Sequence, residues 1–235
     1  MKPQLQRPTE SVWQDVINRQ VTIPARDVVL QGELIVPERA TGIVMFAHGS
    51  GSSRHSPRNK FVASVIREAN VGTLLFDLLT PEEESVDMYT RHLRFDIGLL
   101  AGRLVDAANW LLKLEETKHL KIGIFGSSTG GGAALVAAAF LGDSVGSVVS
   151  RGGRPDLAGD ELTRVKSPVL LIVGGLDYEV IKLNEQAYAK LTCEKELRIV
   201  PGATHLFEEP GKLKIVAEMT AEWFRCYLSS PPASQ

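Results

Sequence analysis

The chain has 235 residues, 44% of them hydrophobic and 23% charged, with a formal net charge of −2. A chain of this length buries about 70–75% of the surface its unfolded form exposes, so its core requires neither a disulfide nor a metal. The near-neutral charge argues against nucleic acid as a partner, because a polyanion leaves a basic footprint.

In chain order, the first stretch, MKPQLQRPTESVWQDVINRQ, has no apolar segment of the kind that forms a secretory signal. The longest apolar run, 133–141, is far short of the ~20 residues that span a bilayer. The expectation is a cytoplasmic protein with no membrane partner. Segments 20–23 and 28–36 read as strands around a polar turn at 25–27, and QGELIV alternates as a half-exposed antiparallel strand does. From Thr41 the pattern changes to short apolar runs ending in Gly, Asp or Ser: GIVMFAHG, GTLLFDL, LKIGIFG, VGSVVSRG and SPVLLIVGG.

Between these runs lie helix-length segments at 58–70, 91–114 and 129–141, with a weaker one at 156–165. A helix at 183–191, a strand at 197–200 and a last helix at 212–228 complete the pattern. TPEEESVD, between the second apolar run and the 91–114 helix, reads as a solvated acidic loop. Trp223, Phe224 and Tyr227 read as packing residues of the last helix, and 229–235 as a frayed tail. Cys193 and Cys226 match no metal or redox spacing and read as separate thiols. Near-continuous apolar strands alternating with helices predict one α/β domain over 1–228: antiparallel N-terminal strands leading into a mostly parallel sheet with helices on both faces. Ligands of such sheets bind beyond the carboxyl ends of the strands.

At one of those ends stands KIGIFGSSTGGGAALVAAAF. A dinucleotide turn would need glycines at i, i+2 and i+5, but Leu135 follows Gly130 and Gly132 at the required place. A P-loop fits the separation of Gly126 and Gly131, yet Gly132 stands where its lysine belongs. Gly126-Ser127-Ser128-Thr129-Gly130 instead fits G-x-S-x-G between a strand and a helix. Small residues two before and two after let a strained turn raise the serine Oγ above the sheet. Ser128 has glycines at both places and Ser127 does not.

A serine needs a base, and the base an orienting group. Asp177 follows the run LLIVGG and His205 follows LRIVPGA, in the order Ser…Asp…His. Asp177 could instead cap a helix, and Asp156 or Asp160 could supply the carboxylate. Among the other histidines, His55 lies in a polar loop, His92 starts a helix and His119 precedes a strand at the wrong edge. His48, in MFAHGSGSS, reads as the frame of an oxyanion hole. The backbone N–H groups of Ser50 and Thr129 would be its donors.

Together, His48-Gly49-Ser50, Gly126-x-Ser128-x-Gly130, Asp177 and His205 resemble an α/β-hydrolase, in the compact form of the dienelactone hydrolase-related branch. The resemblance runs from about Val28 to Leu228. It implies the α/β-hydrolase fold, a catalytic triad of Ser128, His205 and Asp177, and a backbone oxyanion hole, with no cofactor and no metal. Dienelactone hydrolases proper use a cysteine nucleophile. Ser128 at that position favours a serine esterase, with a lactone or thioester hydrolase as the alternative and a non-catalytic ligand-binding member of the fold as the rival of another class.

Only 152–167 separates VVSR from SPVLLIV, too little for a large cap domain, so short- to medium-chain soluble esters are the expected substrates of a monomer or small homo-oligomer. Arg54, Arg58, Arg151 and Arg154 fall near the expected mouth. Each reads more readily as paired surface charge than as a grip on a substrate carboxylate.

Overall fold

The computed structural model describes residues 15–229. Strands β1 (Asp15–Ala25) and β2 (Val28–Pro37) form the expected antiparallel pair, with β1 beginning earlier than the alternation indicated. Then follow β3 (Gly42–Ala47), α1 (Pro57–Glu68), β4 (Gly72–Phe76), α2 (Pro81–Thr90), α3 (Ile97–Leu111), β5 (Lys121–Ser127) and α4 (Thr129–Leu141). The chain continues through β6 (Val145–Arg151), β7 (Val169–Gly174), α5 (Tyr178–Lys190), β8 (Lys195–Val200) and α6 (Lys212–Leu228). Of the expected 229–235 tail, all but Ser229 lies outside the described residues, as do the first 14 residues of the stretch searched for a signal.

The eight strands make one open sheet in the order β1-β2-β4-β3-β5-β6-β7-β8, parallel from β4 onward. Side chains divide by the strand period of two. On β3, Ile43, Met45 and Ala47 face the layer of α3, α4 and α5, while Val44 and Phe46 face α1 and α6. Both faces are covered, and for that reason the inner strand runs are near-continuously apolar. Trp223 and Phe224 are buried in α6, and Tyr227 packs on the rim with its ring 4.6 Å from that of Trp223.

Three sequence expectations need correction. TPEEESVD is the start of helix α2, not a loop. Thr80 and Glu83 form a capping box, Pro81 opens the first turn and three glutamates sit at the positive end of the helix dipole. The helix expected over 91–114 is confined to Ile97–Leu111, after a 3-10 turn at Leu93–Phe95, because Arg91 adopts a left-handed conformation that ends α2. The weak segment near 156–165 is a 3-10 stretch, Pro155–Arg164, broken at Gly159 by φ 57°. It is the main structure between β6 and β7, so no large cap stands there.

The strand order fixes where chemistry can occur. β4 lies on one side of β3 and β5 on the other, so chain direction across the sheet reverses there, the place where open sheets bind ligands. Ala47 pairs with Gly126, which sets the loop after β3 against the turn after β5. β7 and β8 are neighbours, so the loops carrying Asp177 and His205 leave the sheet side by side.

Candidate active site

Ser128 occupies the first position before α4 with φ 52° and ψ −125°, a conformation that costs a non-glycine residue about 1–3 kcal/mol. An ordinary serine cap sits in the β region and spends its hydroxyl on the helix. Ser128 does neither, and its side chain makes no capping bond. The strain is held by the main chain. Ser128 donates its N–H to the Arg151 carbonyl at 3.3 Å, and its own carbonyl accepts from Gly131 at 2.9 Å and Arg154 at 3.0 Å. The flanking glycines are required by contact: a Cβ on Gly126 would collide with the Gly130 carbonyl, and one on Gly130 with the Ala47 carbonyl.

Asp177 also stands at a helix cap position, before α5, without a side-chain capping bond. Its Oδ2 lies 2.6 Å from His205 Nδ1. The capping alternative therefore fails on geometry, and so does Asp156, whose carboxylate is engaged by Arg154 Nε and Nη2 at 2.8 and 2.7 Å. Gly174 makes the approach of the two loops possible, since a Cβ there would meet the Ala203 and Thr204 carbonyl oxygens at 2.5 Å. The Leu176 N–H donates to the Ala203 carbonyl at 2.9 Å, joining the loops directly. The His205 loop is braced further by Glu209, which accepts from the Thr204 N–H at 3.0 Å and hydroxyl at 2.6 Å. That hydroxyl bond is the main reason the Glu209 carboxyl is held below its usual range. Ser128 and His205 line one cleft of about 220 Å³, together with Ser50.

The loop after β3 is fixed by His48. Its Nε2 accepts from the Leu78 N–H at 3.1 Å, and its Nδ1 lies 3.0 Å from the Gly49 carbonyl. These two partners assign a neutral ring protonated on Nδ1. Burial pushes the His48 pKa below 6.5. The native state then binds this proton less readily than the unfolded chain, so the contribution to stability is complete above about pH 6.5 and is lost as pH falls through that value toward the native pKa. Thermal unfolding between about pH 7.5 and 5.5 should accordingly show a larger drop in Tm for the wild type than for His48→Gln. Equal drops would remove His48 from the account.

Ser50 and Thr129, the expected oxyanion donors, are brought together, but in an unexpected way. The Ser50 N–H donates to the Thr129 hydroxyl at 3.0 Å. An oxyanion arriving there must share or displace that bond. The Thr129 N–H, in the first turn of α4, has no intrahelical acceptor.

Residues 73–227 match the Dienelactone hydrolase family. The chain belongs to this family. A solved dienelactone hydrolase from Anabaena variabilis ATCC 29413 is 59% identical with a TM-score of 0.88, over 90% of this chain and 98% of that one. Est1E from Butyrivibrio proteoclasticus, at 17% identity and a TM-score of 0.72 over 87% of this chain and 97% of that one, shares the fold. A Mycobacterium tuberculosis (strain H37Rv) protein named "Putative phosphoribosyl transferase Rv0571c" is 54% identical over 217 residues, 92% of this chain but 48% of the relative. The chain thus spans about half the length of that relative.

Within this family member the four arginines near the mouth separate into two kinds. Arg54 is paired with Asp77, Arg58 with Glu208 at 2.8 Å, and Arg154 with Asp156. Those three are paired as expected, Arg58 and Arg154 toward the surface and Arg54 in a part-buried ion pair. Arg151 is not. It is 6% exposed, lines the cleft with Ser128, and its buried Nε and Nη1 have no hydrogen-bond partner. The Phe207 ring lies 5.9 Å from its Cζ. Such a contact contributes on the order of 2 kcal/mol, against several kcal/mol for an uncompensated buried ion.

Sequence reasoning missed the Thr129 hydroxyl and Glu209. The partner of the Thr129 hydroxyl, Ser50, lies 79 positions away, and Thr204 is five residues from Glu209 in an irregular loop that fits no helix or strand period. Cys193 and Cys226 are both free thiols. Among the described residues no helix is long and apolar enough to cross a membrane, and no cluster of three His, Cys, Asp or Glu could hold a metal ion.

Proposed function

We propose that this dienelactone hydrolase family member is a serine ester hydrolase acting through an acyl-enzyme on Ser128. The observation that carries the reading is the strained, uncapped Ser128 sharing a cleft with His205, whose Nδ1 is held 2.6 Å from Asp177. His205 Nε2 takes the hydroxyl proton as Ser128 Oγ attacks the carbonyl carbon, and Asp177 stabilises the imidazolium. The carbonyl oxygen becomes an oxyanion facing the N–H groups of Ser50 and Thr129, where a donor of this kind typically contributes about 10²–10³ in rate. Collapse expels the alcohol, which takes the proton from His205. Water, activated by the same histidine, then releases the acid and restores Ser128.

A lactone or thioester would pass through the same steps, differing only in the leaving group. The phosphoribosyl transfer named for the mycobacterial relative is not carried over, because a base-activated serine is a device for acyl transfer and this chain covers only 48% of that protein. With no large cap between β6 and β7, the cleft suits short to medium acyl chains. The test is a panel of p-nitrophenyl esters of increasing acyl length, run beside a lactone and a thioester. The reading expects kcat/KM to peak among the short and medium esters and to decline with longer chains. A steep rise toward long-chain, aggregated substrates would contradict it.

A further inference from the structure

Helix α1 buries one face, made by Asn59, Val62, Ala63 and Ile66. The last three are apolar, as the helical period requires of a face turned to the core. Asn59 is the exception. It is 2% exposed, and its Oδ1 is buried without a hydrogen-bond partner among the described residues. Asparagine is a poor helix former, and a buried acceptor left unmet weakens a fold. Capping does not account for it, because the Ser56 hydroxyl accepts the main-chain N–H of Asn59 at 3.4 Å and the amide takes no part. Asn184, also buried, shows what a structural asparagine does here: its Nδ2 donates to the Gly153 and Val180 carbonyls at 3.0 and 2.8 Å. The Asn59 amide makes no such bond among the described residues.

Asn59 instead lines the cleft that holds Ser128 and His205. Ser52 and Ser56 line it too, and among the described lining residues Leu206 alone carries an apolar side chain. Small-molecule sites are ordinarily walled by apolar groups, with a few polar ones to orient the ligand. Here the apolar side chains Phe61, Phe207 and Leu213 line a neighbouring cavity of about 370 Å³.

We propose that Asn59 binds a neutral hydroxyl group of the substrate, so that the ester cleaved at Ser128 is a hydroxylated one, formed from a hydroxy acid or from a polyol. This names the substrate class of the esterase reading and rests on it for the position of the scissile bond. A hydroxyl both donates and accepts, so it meets Oδ1 directly or Nδ2 after a half-turn of the amide. With neither end of the amide held by the protein, that half-turn breaks no hydrogen bond. A plain alkyl ester would fill the cleft and leave Oδ1 unmet, so the site discriminates against it.

The test measures binding rather than turnover, with amides that resist hydrolysis in place of esters. The purified chain is titrated, and affinities are read by NMR, with two matched pairs. β-Hydroxybutyramide against butyramide places the hydroxyl in the acyl part. N-dihydroxypropylbutyramide against N-propylbutyramide places it in the alcohol part. In at least one pair the hydroxylated member should bind about 5- to 50-fold more tightly, the range expected when a buried acceptor gains its partner. The pair that shows the margin assigns the hydroxyl to the acid or to the alcohol. Asn59→Leu, verified as folded by circular dichroism, should lose most of that margin, and Asn59→Ala takes its place should the leucine variant not fold. Equal affinity within both pairs would overturn the proposal, as would no binding of any of the four, or a margin that survives unchanged in the folded variant. A hydroxyl margin without hydrolysis of the corresponding esters would overturn the esterase reading alone. Hydrolysis of those esters with no margin in either pair would overturn this inference alone.

Discussion

Ser128→Ala is expected to lower kcat by about 10⁴–10⁶-fold on the best ester found, while leaving a measurable remnant over the uncatalysed rate. The size follows from what is lost. Without Oγ there is no covalent step, and water must attack directly. The remnant follows from what stays: the N–H groups of Ser50 and Thr129 do not depend on the Ser128 side chain. Stability should change little, because alanine meets the same penalty as serine at φ 52° and Ser128 makes no capping bond that could be lost. The measurement is kcat with Tm determined on the same preparation. Activity within tenfold of wild type would show that Ser128 is not the nucleophile.

Asp177→Asn is expected to cost about 10⁴-fold in kcat, a loss out of proportion to the change in shape. Asp177 Oδ2 accepts the proton on His205 Nδ1 at 2.6 Å. This leaves Nε2 as the free acceptor for the serine proton. An asparagine can present its N–H to Nδ1 instead. The ring proton then moves to Nε2, and the base faces Ser128 in the wrong tautomer. The helix behind it should be unaffected, since the Asp177 side chain does not cap α5. Asp156→Asn is the control, because Asp156 pairs with Arg154 and serves neither His205 nor Ser128. A comparable loss in both variants would point to a general effect of carboxylate removal.

The parts of the fold that could be read from the chain are those set by local pattern and contact. The inner strands of the parallel sheet, β3 to β7, are near-continuous apolar runs because both faces are covered, whereas the edge strand β8, KELRIV, is not. The turn at Ser128 could be read because its glycines at 126 and 130 are demanded by carbonyl groups against which no Cβ fits. Asp177 and His205 could be placed because each follows a strand, and neighbouring strands leave the sheet at the same edge.

What escaped was set by tertiary distance or by a cue outweighed by composition. α2 was obscured by its run of glutamates, although Thr80 and Glu83 stand at the capping-box spacing that starts it. The arginines could not be sorted, because Arg54 finds Asp77 across 23 positions and Arg58 finds Glu208 across 150. Only the assembled fold shows that the buried Arg151 Nε and Nη1 meet no hydrogen-bond partner. The engagement of the Ser50 N–H by Thr129, 79 positions away, is of the same kind.

Whether Ser128 is an activated nucleophile is decided by labelling the folded protein with a fluorophosphonate and analysing the digest by mass spectrometry. A serine activated by His205 attacks the phosphorus and is trapped. Stoichiometric modification is expected to be confined to Ser128, abolished in Ser128→Ala and slowed in Asp177→Asn. No modification of the folded wild type, or modification at another serine, would contradict it.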